Sequence, residues 1–164
     1  MSTSPRLGRY EIDTSGSTVR FSTRHLFGLA PVRGEFAIRT GIVDVAEPLG
    51  ASRTCVEIDA ASFRTGNPQR DRTVRSGRFL DARRHPVMTF VSERIEATAI
   101  TGSLTVRDVT GPVRLSVESS DVTPPEFTTR VTSRIDRTDF GLTASRGLAG
   151  RYLDLTMEVR CVRS

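Results

Sequence analysis

The side chains of this 164-residue chain that could do chemistry are two histidines, two cysteines and an unusual number of arginines. Acyl-transfer catalysis needs a nucleophile held by a base, and a base held by an acid. His25 follows an apolar-alternating run, and His85 lies against Pro86 in a turn. There is no G-x-S-x-G elbow and no paired-histidine metal motif, so a small hydrolase or isomerase finds little support. Cys55 and Cys161 are far apart and form no C-x-x-C, so they read as thiols and not as a disulfide or metal pair. No cofactor and no metal are expected. Arg64, Arg70, Arg72, Arg75, Arg78, Arg83 and Arg84 crowd one irregular stretch. Their planar forks of donors suit a diphosphate or an anionic membrane surface. The competing reading is a solvated face, with Arg70–Asp71 as a structural ion pair and Asp136, Arg137 and Asp139 fixing another loop.

Composition narrows the classes. Hydrophobic residues make up 37% and charged residues 26%, which fits one soluble globular domain over residues 1–164. The net charge is +5, and all 24 basic residues are arginine. The complete absence of lysine reads as a compositional bias, so it does not by itself mark a binding face. Barrels that bind single-stranded nucleic acid stack bases on exposed aromatics within a basic groove. The outward rows here lack such aromatics, so no nucleic-acid partner is expected. No window approaches the ~20 apolar residues of a membrane span. Residues 1–16 lack the apolar run of a signal peptide, which gives a cytoplasmic expectation.

The elements that must position any site alternate with a period of two, the signature of half-buried strands. Val19, Phe21 and Thr23 form one row, and Val32, Gly34, Phe36 and Ile38 the next. Thr54, Val56 and Ile58 follow, then Met88, Phe90 and Ser92. After them come Ile100 to Val106 and Val113 to Val117, then Phe127 to Ile135, and last Leu153 to Cys161. Thr40-Gly41, Glu47-Pro48, Gly111-Pro112 and Pro124-Pro125 are expected to break strands. Eight rows without long helical crossovers must pair antiparallel, and closing the sheet removes its exposed edges. The expected fold is therefore all-β: a closed antiparallel eight-stranded barrel. A short helical insertion around residues 67–84 is expected, capped by Asn67 with Pro68 in its first turn.

The inner rows mix large residues with Gly34, Thr54, Ser92, Gly102, Thr129 and Ser133. Tryptophan is absent and aromatics are only 6%. An eight-stranded barrel either fills its interior or holds one ligand, and the rows alone leave both readings open.

Several motifs follow one another in order. Tyr10, Ile12 and Asp13 precede Val19, Phe21 and His25, and then Val32-Arg33-Gly34-Glu35-Phe36 with Gly41 behind it. The middle carries Ala60-Ala61-Ser62-Phe63-Arg64-Thr65-Gly66, Arg70-Asp71, Phe79-Leu80-Asp81, His85-Pro86 and Met88 to Ser92. Gly102-Ser103-Leu104-Thr105-Val106-Arg107-Asp108-Val109-Thr110 precedes Pro112-Val113, and Ile135 to Gly141 come near the end. This series resembles the YceI-like family of polyisoprenoid-binding proteins, which have lipocalin-like barrels, and it covers the chain from Tyr10 to about Val162. Asp108 departs from the family, which often has glycine there; aspartate tolerates a positive-φ turn better than most residues. Missing a signal peptide is a second departure.

The resemblance implies a non-catalytic protein whose apolar tunnel binds, sequesters or transports a long isoprenoid-like lipid, a prenyl diphosphate or a quinone tail. Another amphiphile, a fatty acid or fatty amide, is the alternative. The expected tunnel lining is Phe21, Phe36, Ile38, Met88, Phe90, Gly102, Leu104, Leu115, Val131, Ser133, Ile135, Leu153, Leu155 and Met157. His25, Arg64 and Arg70 are the expected contacts for a head group. Transient contact with a membrane surface and a homodimer are further expectations.

Overall fold

The computed structural model describes residues 4–25, 30–144 and 150–164, with Arg24, His25 and Ala30 described in the backbone alone. Its nine strands are β1 (Gly8–Ile12), β2 (Thr18–His25), β3 (Ala30–Val45), β4 (Arg53–Arg64), β5 (Val87–Ile95), β6 (Ala99–Val106), β7 (Val109–Thr123), β8 (Glu126–Asp136) and β9 (Tyr152–Arg163). One helix, α1 (Pro68–Arg75), follows β4. Each expected row lies within a strand, because alternating Val, Ile, Thr and Phe suit a pleated surface with one face buried.

Nine strands occupy eight positions around the barrel. Consecutive strands from β2 to β9 pair antiparallel, and β2 pairs with β9 to close the ring. The short β1 extends the β2 position toward the other end. It pairs with Ile42–Val45 of β3 on one side and with Cys161–Arg163 of β9 on the other. β3 can serve both partners because its register against β4 shifts twice, between Glu35 and Ala37 and between Ile38 and Thr40. Such bulges bend a strand and tighten its twist.

Two expected strand breaks are not breaks. β3 runs straight through Thr40-Gly41, and β7 through Gly111-Pro112. At Gly41 an added Cβ would lie 2.3 Å from the Ile12 Cδ1, so the glycine makes room for β1 to pack. Pro112 pairs with Ser103 near the start of β7, within reach of the turn, where a missing donor is tolerated.

Gly34 and Gly102 show how the inner face is filled. A Cβ at Gly34 would lie 2.4 Å from the ring of Phe21, its cross-strand partner, and 2.6 Å from the Arg64 carbonyl oxygen. A Cβ at Gly102 would lie 2.3 Å from the Val91 carbonyl oxygen and 2.7 Å from the ring of Phe90. Aromatic rings lie over both glycines, so the small residues there leave no space for a guest.

The β4–β5 connection lies across one end of the barrel. The Asn67 side chain accepts from the Arg70 N–H at 3.0 Å and caps α1 as expected. The expected Arg70–Asp71 ion pair is absent. The buried Asp71 carboxylate instead accepts from the Thr65 hydroxyl at 2.6 Å and the Thr65 N–H at 3.0 Å, and Arg70 donates to the same hydroxyl at 3.2 Å. Both charges are thus held through Thr65. Val74, Phe63, Leu80 and Ala82 pack inward with Phe21, Met88, Phe90 and Phe140. Beside this plug, the Asp136 carboxylate caps the 3-10 turn Arg137–Phe140 by accepting from the Thr138 N–H and hydroxyl. The buried Arg137 guanidinium donates to the carbonyls of Gly150 and Leu142, both at 2.7 Å.

Two predictions follow from this packing. Gly102→Ala should lower the urea unfolding free energy by about 1–3 kcal/mol, the usual cost of overpacking. Gly50→Ala, where a Cβ meets nothing within 4 Å, should change it by less than about 0.5 kcal/mol; equal effects would refute the filled-glycine account. The second concerns acid. The hydrogen bond from Arg151, then that from Thr138, holds the Asp136 carboxyl down at about 2 against an ordinary 3.8. A folded value below the unfolded one means that ionised Asp136 stabilises the fold above the ordinary range, and that this contribution fades as pH falls from about 4 toward about 2. Thermal melts of wild type and Asp136→Asn should therefore differ at neutral pH and converge near pH 2.

An apolar cavity open at one end of the barrel

The barrel has two different ends. The end carrying α1 also receives the β6–β7 and β8–β9 connections, and is called the helix end. The other carries the β3–β4, β5–β6 and β7–β8 turns together with the described N-terminal residues. Most of the described aromatic side chains gather at the helix end. Phe21 stacks on Phe63 with centroids 5.3 Å apart, and Phe36 meets Phe63 edge-on at 5.5 Å. The other half has no such plug. Valines, isoleucines and threonines from every strand leave a cavity of about 1320 Å³ there, larger than the roughly 300–1,000 Å³ of usual small-molecule sites.

The lining runs along β8 from Phe127 to Ile135. At ~3.4 Å per residue and a strand tilt near 40°, the cavity is roughly 20 Å deep. Its far rim is built from Pro5, Leu7, Glu47, Leu49, Glu96 and Glu118 with their neighbours. Several of these are solvent-exposed, Leu7 by 51% and Leu49 by 41%, so the cavity opens to solvent at this end, the mouth.

Polar side chains inside the wall turn to the backbone. The Thr54 hydroxyl donates to the Ile42 carbonyl at 2.9 Å, and the Ser52 hydroxyl accepts from the Ala46 N–H at 2.9 Å. Cys161 lines the cavity, and burial pushes its thiol up to about 12, so it stays neutral and apolar. Among the described residues no three His, Cys, Asp or Glu side chains converge on a metal-sized site.

The expected lining residues divide between the two halves. Ile38, Phe90, Leu104, Leu115, Val131, Ile135, Leu155 and Met157 line the cavity. Phe21, Phe36, Met88 and Leu153 belong to the packed helix end instead. They share the inner face and stand directly across from the lining residues Leu155, Val19, Ile58 and Ile135, but their side chains pack into the aromatic cluster instead of facing the open space. Gly102 is covered by Phe90, and the Ser133 hydroxyl donates to the Arg114 carbonyl at 2.7 Å, so neither reaches the cavity. Thr54, Val56, Phe127, Thr129, Val159 and Cys161 line it as well and sit in the same alternating rows. Val43 and Val45 also line it, past the glycine expected to end β3. The turn residues of the mouth have no periodicity that could have revealed them.

The expected head-group contacts lie at the wrong end. Arg64 pairs with Glu35 and Arg70 with Thr65, both at the helix end and away from the cavity. The backbone of His25 ends β2 at that same end, and its side chain lies outside the described residues. The charged side chains that do line the cavity are Arg6, Glu47, Glu96 and Glu118, all at the mouth. Glu96 accepts from Arg94 at 2.7 Å and Glu118 from the Thr132 hydroxyl at 2.7 Å.

Comparison with known proteins agrees with this architecture. A crystal structure of Burkholderia cenocepacia BcnA superposes with a TM-score of 0.74 at 21% identity, covering 91% of this chain and 98% of that one. A structure described as a polyisoprenoid binding domain from Saccharophagus degradans also gives 0.74, at 13% identity, covering 97% and 100%. In sequence, a UPF0312 protein of Azotobacter vinelandii is 32% identical, over 94% of this chain and 86% of its own length. A UPF0312 protein of Vibrio parahaemolyticus is 28% identical over 94% and 87%. Residues 10–161 match the family described as the YceI-like domain, and with a wall, a plug and an open mouth of this kind the chain belongs to that family.

Proposed function

We propose that the protein is a non-catalytic carrier or reservoir that holds one long, chiefly apolar lipid, with the tail in the barrel and the head at the mouth. The observation that carries this reading is the apolar cavity of about 1320 Å³, roughly 20 Å deep and open at one end. Each Å² of apolar lipid surface removed from water contributes ~25 cal/mol, so an extended chain has ample driving force before ordering costs. The wall offers no nucleophile or base with a partner to activate it. An isoprenoid tail fits the family to which the chain belongs and the description of the Saccharophagus domain.

The mouth favours an uncharged head. A diphosphate there would meet the carboxylates of Glu47 and Glu118, with Glu96 already paired to Arg94 and the guanidinium of Arg6 beside them, and like charges at short range are costly. Of the two isoprenoid classes, a quinone-type lipid therefore suits this rim better than a prenyl diphosphate.

The chain has no tryptophan, so occupancy is best read by native mass spectrometry after organic extraction and reloading. Thr129→Phe and Val117→Phe, which place rings in the cavity, should each weaken lipid uptake on the order of tenfold or more while the melting curve stays near wild type. Unchanged uptake by both variants would rule out the cavity as the site. In competition, a polyprenyl quinone should displace a polyprenyl diphosphate of equal tail length by on the order of tenfold or more. A preference for the diphosphate would overturn the assignment of the head group.

A further inference from the structure

Net charge is distributed very unevenly along this barrel. Residues 64–84 contain seven arginines and two aspartates, so this segment carries the whole net charge of +5. Outside it, seventeen arginines balance seventeen carboxylates. The segment lies across the helix end. Its apolar members Phe79 and Leu80 are buried. Arg75 is tied to the Phe63 carbonyl at 3.0 Å and Arg107 of the neighbouring turn to the Phe79 carbonyl at 3.4 Å. Of its two aspartates, Asp71 is buried against Thr65. Arg72, Arg83 and Arg84 remain exposed with no carboxylate partner among the described residues. The outer surface of this cap is thus cationic with its apolar side chains turned inward.

We propose that the helix end is an electrostatic docking face for an anionic phospholipid surface, and that it sets the barrel on that surface with its mouth pointing away. Charge complementarity selects this partner. Within residues 64–84 no aromatic side chain is exposed, so the segment itself has no platform for stacking nucleobases, and the ring of the exposed Tyr152 at this end is met by the guanidinium groups of Arg134 and Arg151. Residues 64–84 expose no large apolar side chain, so the segment has nothing to bury against a folded protein. Arginines over an anionic leaflet need neither, since each adds attraction within a Debye length of the surface. The rim at the opposite end carries Glu47 and Glu118 with Arg6, and Glu96 is paired with Arg94, so that end has no cationic cluster to draw it to the same surface. The proposal is independent of what the cavity holds, and cargo would leave toward the solvent side instead of directly into the supporting bilayer.

The test uses vesicles of equal parts phosphatidylglycerol and phosphatidylcholine, with pure phosphatidylcholine as control. Wild type should co-sediment with the anionic vesicles alone, and binding should fall as salt rises. The triple variant Arg72→Gln, Arg83→Gln, Arg84→Gln should bind on the order of 100-fold more weakly, with lipid loading and melting curve unchanged. No binding at low salt, or equal binding by the triple variant, would overturn the docking face. Binding to single-stranded DNA as tight as to the vesicles would overturn the choice of partner. Orientation is read separately in a Cys55→Ser background, with a fluorophore on Gly77→Cys or on Gly50→Cys, both sites where a Cβ meets nothing within 4 Å. Lipid-borne quenchers should quench the Gly77 probe and spare the Gly50 probe at the mouth; the reverse pattern would overturn the orientation.

Discussion

Eight antiparallel staves enclose a volume that only large side chains can fill, and this chain has few of them. It has eight phenylalanines and no tryptophan, and five of those phenylalanines gather around the cluster at the helix end. There they lie across Gly34 and Gly102 and pack under the α1 connection. What lines the remaining space is chiefly valine, isoleucine, leucine and threonine, with Phe90, Phe127, Met157 and a neutral thiol. The cavity follows from this uneven placement of aromatic volume along one closed sheet. A close-packed interior tolerates few voids, so a large one inside a closed barrel is a feature of the sequence and not a fault in packing.

The alternating rows made the strands and the closed barrel legible, since a period of two survives bulges and bends. They said which face points inward, and not which inward side chains meet one another across the barrel. Phe21 and Met88 therefore looked equivalent to Leu115 and Val131, although one pair packs the plug and the other lines the cavity. Glycine misled in two ways. On the inner face it suggested empty space, where Phe21 and Phe90 in fact lie over it. In β3 it suggested a break at Gly41, where it accommodates Ile12 of a strand too short to declare itself by alternation. The mouth was illegible because turns from three hairpins meet there only through closure of the barrel.

The arginine-rich stretch illustrates the same gap between pattern and position. Arg64 and Arg70 belong to a segment that suits anions, and the resemblance offered a diphosphate as the anion. Topology separates the two, since the β4–β5 connection and the β3–β4 turn occupy opposite ends of an antiparallel barrel. The cationic cap and the cavity mouth therefore lie at opposite ends of the barrel, and the arginines of residues 64–84 do not line the cavity.

Selectivity then has to arise at the rim. An aliphatic wall rewards apolar area without direction, and the polar atoms of Thr54 and Ser52 are committed to the backbone. Tail length and girth are limited by the cavity, but nothing in its wall reads the chemistry of a head group. The groups with unspent hydrogen-bonding capacity, Glu47 and Arg6 among them, sit on turns and on the segment before β1. Such segments tolerate substitution and insertion far better than the strands between them. The same barrel could accordingly take on a new lipid by changing a few mouth residues while its wall and plug stayed as they are.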